Sequence, residues 1–118
     1  DRKRGLWDAN LFETNELYGV DYGMSKADRL RYGQTMMTHA MLFTGVDVVD
    51  GKPRRWRVEN SWGDDSGEKG FYTMNDSWYD EHMFEIATAR KYLSEKMLDG
   101  LETEPTVLDA WDPMGSLA

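Results

Sequence analysis

Two side chains in this sequence have the chemistry to work as a pair, and both stand among apolar neighbours. His39 lies within the apolar stretch 36–46, and Asn60 lies within the stretch 57–63. An asparagine amide oxygen can accept a hydrogen bond from one imidazole nitrogen, which fixes the tautomer and aims the other nitrogen. That second nitrogen can then activate a thiol or hydroxyl nucleophile. The alternative is structural: His39 is a satisfied core histidine and Asn60 closes a turn.

The two stretches must be neighbours in space for this pair to form, and their patterns predict an antiparallel hairpin. The continuous apolar character of 36–46 predicts a strand covered on both faces. The stretch 54–62 predicts the return strand, in which alternate residues face the same side. Between them, Asp50-Gly51 is a turn signal. The hairpin is therefore the element that positions the candidate pair.

The length of the hairpin loop decides which residues face each other. A tight turn at the signal pairs Asn60 with Met41, whereas a wider loop centred one residue earlier pairs it with His39. Either register leaves His39 and Asn60 on one face, within about one strand step of ~7 Å. Trp62 shares the face of Asn60, so its ring can shield a His–Asn hydrogen bond from water and strengthen it.

Other side chains capable of chemistry lack suitable partners. His82 stands near Glu81 and Glu85, but one imidazole with two carboxylates is a poor metal site, and a solvated helix face is the simpler interpretation. The three glycines between 63 and 70 lack the lysine and the following helix of a phosphate loop. The remaining polar candidates show no convincing base or partner and are predicted to be structural: Gln34, Ser61 and Ser66.

Composition restricts the possible functions further. The 118 residues, 40% of them hydrophobic, fit one domain with a real core. A net charge of −8, from 22 acidic and 14 basic residues, argues against a nucleic-acid partner. The chain has no Cys, which excludes disulfides, thiolate metal sites and a thiol nucleophile within it. No apolar run is long enough for a membrane span. We predict no cofactor and no metal.

Between the two ends, the capping and turn residues predict a series of short elements. Ser25 and Asp28 form a capping signature for a helix at 26–32, which Gly33 ends. The later predictions, in chain order, are a strand at 71–74, a helical turn at 78–82, a strand at 83–89 and a short turn at 94–98.

Both ends of the chain have the character of parts of a larger body. The chain opens without Met on a charged segment, and residues 1–24 read as a loop with at most short turns. Residues 102–118 form an extended arm that carries large apolar groups without periodicity. We therefore divide the chain into a body, 1–101, and an arm, 102–118, and expect it to be a piece of a longer protein.

Three motifs in one order resemble a known enzyme family. Asn60-Ser61-Trp62-Gly63 resembles the signature of papain-like cysteine peptidases. The run Thr38-His39-Ala40-Met41 and the ending at 111–118 are similar to the bleomycin hydrolase/aminopeptidase C branch. The resemblance covers nearly the whole chain. It implies an α+β fold, namely the C-terminal, right-hand, antiparallel β-barrel-like part of a papain-like peptidase, with short helices and an extended C-terminal arm.

The resemblance also implies a role for four residues. His39 corresponds to the catalytic base, Asn60 to its orienting partner and Trp62 to the ring that supports them. The terminal carboxylate, on Ala118, corresponds to a substrate-binding group that meets the α-amino group of the peptide. The nucleophilic Cys and the oxyanion Gln of that family precede the matched region. The isolated chain is therefore expected to be inactive.

Two functions follow from this resemblance. The first is the C-terminal part of a cytoplasmic, homohexameric cysteine aminopeptidase that removes N-terminal residues from peptides. Its partners are peptides with a free N-terminus and the upstream Cys-bearing part of the same protein, with no nucleic acid and no membrane. The second is a catalytically inert fragment that acts as a binding or assembly module.

Overall fold

The structure, a computed structural model, describes residues 1–117, with side chains described up to residue 115. Within that range the chain forms four strands and four α-helices. In chain order they are β1 (Leu6–Trp7), α1 (Thr14–Tyr18), α2 (Lys26–Arg31), β2 (Leu42–Val49), β3 (Lys52–Glu59), β4 (Phe71–Asn75), α3 (Asp76–His82) and α4 (Glu95–Leu101). Two 3-10 turns lie at Arg90–Tyr92 and Pro113–Leu117. None of these helices is long and apolar enough to cross a membrane.

The strands form one mixed sheet in the order β1-β4-β3-β2. β1 runs parallel to β4, and the other neighbouring pairs are antiparallel. The elements confirm the predicted α+β class. β1 itself was not predicted, because two residues are too few to show alternation. It exists because β4 offers it a partner, and the Thr73 amide donates to the Gly5 carbonyl at 2.7 Å.

A two-residue turn at Asp50 and Gly51 joins β2 to β3. Both residues have positive φ, 51° and 76°, as a type I′ hairpin turn requires. Val49 pairs with Lys52 at the turn, and Leu42 pairs with Glu59 at the far end. The tight turn is therefore confirmed and the wider loop is wrong. Two register shifts offset each other, because one leaves Arg54 of β3 unpaired and the other leaves Thr44 of β2 unpaired. The pairing at the far end therefore returns to the register set by the turn.

The predicted bounds and burial of β2 need correction. The strand begins at Leu42 and not at 36, because β3 ends at Glu59 and earlier residues have no ladder partner. The prediction that both faces are covered is also wrong, since Leu42 is 61% exposed and Val48 is 51% exposed. β2 is one of the two edge strands of this sheet, β1 being the other. His39 thus lies in the segment that leads into β2.

The core lies on one face of the sheet, between β3, β4 and α3. Val58, Tyr72 and Met74 are its fully buried members, with exposed fractions of 0 to 2%. Their positions alternate along β3 and β4, as a strand's two-residue period requires. Aromatic rings surround them, and Trp7 stacks on Tyr72 with ring centroids 4.7 Å apart. The partly buried side chains packed on this centre are Trp7, Met41, Phe43, Trp56, Trp78, Tyr79 and Met83.

Helix α2 is tied to the end of α3 by its two cationic side chains. The Ser25 hydroxyl caps α2 by accepting from the Asp28 amide at 3.1 Å, as the sequence predicted. Lys26 donates to the carbonyls of Asp80 and Met83, and Arg29 donates to the carbonyl and carboxylate of Glu81. Cations are favoured there because the last carbonyls of a helix carry partial negative charge. These contacts fix α2 against the rest of the fold.

The C-terminal half differs from the prediction in two places. Residues 83–89 form no strand, because no described strand lies beside them to supply a ladder. The turn expected at 94–98 is the full helix α4, which continues through Gly100. The strand at 71–74 and the helical turn at 78–82 are confirmed as β4 and α3. The division into a body, 1–101, and an arm, 102–118, stays a prediction.

Candidate active site

His39 and Asn60 lie close together at the open end of the β2–β3 hairpin. His39 lies three residues before β2, and Asn60 directly follows the last residue of β3. The Asn60 backbone N–H donates to the Gly70 carbonyl at 3.1 Å, which keeps the backbone direction of β3 for one more residue. The predicted pair is thus built by the hairpin, although both residues lie just outside its regular part.

The two side chains make a direct hydrogen bond, and its polarity can be assigned from the surroundings. His39 Nε2 lies 2.8 Å from Asn60 Oδ1. The Ser61 backbone N–H lies 2.8 Å from the same Oδ1 and can only donate. That atom must therefore be the amide oxygen, and His39 Nε2 must carry the proton. The lone pair of the neutral imidazole is then on Nδ1, which is the nitrogen left for chemistry.

Trp62 covers this hydrogen bond from one side. Its ring stacks on the His39 imidazole, with centroids 4.7 Å apart and planes at 19°. The Asn60 side of the contact is closed, since Asn60 is only 9% exposed, whereas His39 is exposed and Trp62 is 46% exposed. A hydrogen bond with restricted water access is stronger than one in bulk solvent. His39 is therefore in contact with both of the other residues predicted for this site, Asn60 and Trp62.

One donor in this site is unmatched. Asn60 Nδ2 is buried and has no hydrogen-bond partner among the side chains and backbone that the structure describes. Leaving a buried donor unsatisfied costs about 1–3 kcal/mol. Oδ1 of the same amide accepts hydrogen bonds from two donors. The amide therefore cannot rotate to give Nδ2 a partner without breaking both of these hydrogen bonds.

Known proteins that are similar to this chain identify its family. The model of the Peptidase C1-like family matches residues 1–115. The chain belongs to the Peptidase C1-like family. It is 43% identical over its whole length to aminopeptidase C of Listeria innocua serovar 6a, of which it covers 27%. It is 49% identical over 98% of its length to bleomycin hydrolase of Homo sapiens, of which it covers 26%.

A solved structure is similar as well. The match to pepw from Lactobacillus rhamnosis HN001 has a TM-score of 0.90 and 47% identity, and it covers this whole chain and 27% of that one. The resemblance to the bleomycin hydrolase/aminopeptidase C branch is thereby confirmed. The chain spans about a quarter of the length of the curated relatives it matches.

The second histidine of this Peptidase C1-like chain has a packing role. His82 lies against the Trp78 ring, with centroids 4.1 Å apart, and is half-buried where a solvated face was predicted. Burial lowers the pKa of His82, and the nearby Arg29 charge lowers it further. Glu81 binds Arg29 in this arrangement. Among the described residues, no group of three or more His, Cys, Asp or Glu side chains could hold a metal ion.

The other sequence candidates have local roles. The Ser66 hydroxyl lies 2.5 Å from the Tyr72 hydroxyl, which links the 63–70 loop to β4. Gln34 follows α2, where its backbone amide donates to the Arg29 carbonyl at 2.8 Å. Ser61 contributes its backbone amide to Asn60, a contact that the sequence analysis missed although Asn often accepts from nearby backbone amides. Ala118 lies outside the described residues.

Proposed function

We propose that the protein to which this chain belongs is a cysteine aminopeptidase, in which His39 is the general base and Asn60 orients it. The nucleophilic Cys comes from a part of the protein outside these 118 residues, since the chain itself has none. The substrates are peptides with a free N-terminus. Relatives named aminopeptidase C and bleomycin hydrolase support this class of reaction.

The observation that carries the proposal is the assigned tautomer of His39. With the proton fixed on Nε2 by Asn60 Oδ1 at 2.8 Å, Nδ1 holds a lone pair and can take the proton of a thiol. The thiolate then attacks the first peptide carbonyl carbon and forms a C–S bond. The imidazolium returns its proton to the leaving amine as the C–N bond breaks. Nδ1 then deprotonates a water, which attacks the thioester carbon. As the C–S bond breaks, the thiolate regains the proton from the imidazolium and the N-terminal residue is released.

Several finer features belong to the same proposal. The sheet and its helices form part of the barrel-like, right-hand half of a papain-like fold, and the unpaired edge of β2 meets the rest of that half. The arm, 102–118, ends in the Ala118 carboxylate, which pairs with the substrate ammonium and limits cleavage to the N-terminal residue. Assembly as a cytoplasmic homohexamer rests on family resemblance alone.

A second candidate function is a binding or assembly module without catalysis. Large apolar side chains are exposed across the described chain, including Phe12 at 77%, Val107 at 91% and Trp111 at 82%. Such surfaces mark interaction sites. These exposed side chains fit the enzyme equally well, because the remainder of a longer peptidase would cover them. The same remainder would supply an acceptor for the buried Asn60 Nδ2.

The deciding experiment uses the full-length protein and its His39→Ala variant. The assay compares release of the first residue from a peptide with a free N-terminus and from the same peptide acetylated at that end. We expect the wild type to cleave only the free peptide, and the variant to lose about 10³-fold or more in kcat/KM. Normal turnover by His39→Ala contradicts the assignment, and a wild type with no peptidase activity supports the binding module.

A further inference from the structure

A cation lies on the ring that covers the candidate site. The Arg2 guanidinium carbon lies 4.4 Å from the centroid of the Trp62 ring. The same ring stacks on the His39 imidazole. Within residues 1–117, the Arg2 side chain has no carboxylate at salt-bridge distance, so its charge is not neutralised there. Trp62 is thus contacted by a permanent cation as well as by the proposed base.

The backbone that carries Arg2 is well fixed. The Gly5 amide donates to the Arg2 carbonyl at 3.2 Å, and the Leu6 amide donates to the Asp1 carbonyl at 3.0 Å, which closes a turn directly before β1. Gly5 has φ +65°, and a Cβ there would lie 2.7 Å from the Gly67 Cα. The turn therefore packs closely on the 63–70 loop and is held at its other end by the sheet.

Trp62 is less constrained by packing than a buried core residue such as Tyr72. It follows the end of β3, lies beyond the strand ladder, and is 46% exposed. An exposed indole next to a glycine-rich loop has room to rotate away from the imidazole. A cation over an indole face contributes about 0.5–1 kcal/mol at exposed sites, and the planar guanidinium stacks better than an ammonium does.

We propose that Arg2 is a positioning residue of the peptidase, which holds the Trp62 ring against His39 and so limits the access of water to the partly buried His39–Asn60 hydrogen bond. This inference rests on the proposed function. Arg2 does not contact His39 or Asn60 through any hydrogen bond of the described chain, and it acts through the indole. Its effect is therefore on the orientation of the base, which concerns turnover more than substrate binding.

The test compares Arg2→Ala and Arg2→Lys in the full-length enzyme. We expect Arg2→Ala to lower kcat about two- to fivefold with KM unchanged, and Arg2→Lys to lie between it and the wild type. In a Trp62→Ala background, Arg2→Ala should cause no further loss, because the contact through which Arg2 acts is already gone. Arg4→Ala is the matched control, since it removes the same charge from the same turn without touching Trp62.

Three results overturn the inference: wild-type kcat in Arg2→Ala, an equal loss in the Trp62→Ala background, or an equal loss in Arg4→Ala. The His39→Ala variant separates this failure from a failure of the proposed function. If His39→Ala loses turnover while Arg2→Ala keeps it, only the role of Arg2 is wrong. If His39→Ala keeps turnover, the assignment of the base itself is wrong.

Discussion

Ser61 and His39 donate to the same atom, Asn60 Oδ1, each at 2.8 Å. The backbone donor fixes the amide, and the fixed amide in turn decides which imidazole nitrogen carries the proton. A local contact between adjacent residues thus sets the protonation pattern of a side chain 21 positions away in the sequence. This relationship explains why an asparagine placed directly after a strand can orient a base without a second side chain to hold it.

Two substitutions of Asn60 should show whether its oxygen orients the His39 imidazole. Asn60→Ala removes the acceptor, so we expect kcat of the full-length enzyme to fall about 10²-fold. Asn60→Asp keeps an oxygen that can accept from both donors, and it should lose less. Steady-state kinetics of the two variants checks this ordering. An equal loss in both would mean that the shared acceptor does not orient His39.

The hairpin turn should be sensitive to a single methyl group. Gly51 has φ 76°, and Ala at positive φ is strained, so Gly51→Ala should lower the free energy of unfolding by about 1 kcal/mol. Gly100→Ala is the matched control, because Gly100 lies inside α4 and a Cβ there meets nothing within 4 Å. That variant should gain up to about 1 kcal/mol. Chemical denaturation of both variants measures the two signs, and a stabilised Gly51→Ala would contradict the observed turn.

Asp8 should stabilise the fold in a pH-dependent way. Its carboxylate accepts from the Asn10 amide at 2.9 Å, from Ser77 at 3.0 Å and from Asn75 at 2.6 Å. The Asn10 amide contributes most to lowering the pKa of Asp8, burial opposes it, and the Ser77 and Asn75 donors assist. Since the pKa is lower in the folded state, this stabilisation is complete above the ordinary Asp range and is lost as the pH falls through the lowered value.

The test of that contribution is Asp8→Asn, which keeps the shape and removes the charge. We expect a loss of about 1–2 kcal/mol near neutral pH, since three donors lose a charged acceptor, and a smaller loss in acid. Glu16→Gln in α1 is a suitable control, because that exposed carboxylate has no hydrogen bond or ion pair among the described contacts. A loss for Asp8→Asn that stays constant from pH 7 to pH 3 would argue against the carboxylate as the cause.

His82 should destabilise the fold in mild acid. Burial beside Trp78 lowers its pKa, Arg29 and Lys26 lower it further, and Glu81 acts in the opposite direction. The unfolded chain therefore binds a proton more readily, and stability falls as the pH drops below about 6.5. His82→Phe keeps a ring against Trp78 but cannot titrate. Its melting temperature should decline less than that of the wild type between pH 7 and pH 5, and parallel curves would exclude His82 as the source.

The hairpin shows what the sequence can predict. Asp50-Gly51 identified the turn, and the two-residue period predicted for the return strand agrees with the structure, in which Trp56 and Val58 share the core face. The site followed from this, because His39 and Asn60 stay close in either of the two registers considered. Their contact depends on parity and turn position, which are local properties of a sequence.

The errors concern elements whose partners lie far away along the chain. β1 exists only because β4 lies beside it, and residues 83–89 alternate like a strand but have no described strand to pair with. The Arg2–Trp62 contact joins positions 60 residues apart, where Gly5 and Gly67 let the two backbone segments approach closely. No short motif could indicate such a contact. The apolar side chains of β2 were predicted to be buried for a related reason. An apolar pattern shows that a strand face can be buried, but it does not show which element of the chain packs on it.

The hairpin also has a kinetic consequence. The proposed base and its partner lie on one local unit, and hairpins form in about 1–10 μs, well before distant parts of a large chain meet. The nucleophile of the proposed enzyme lies elsewhere in the polypeptide. In the proposed enzyme, orientation of the imidazole therefore depends on a local and fast step, whereas peptide cleavage also requires the separate parts to dock.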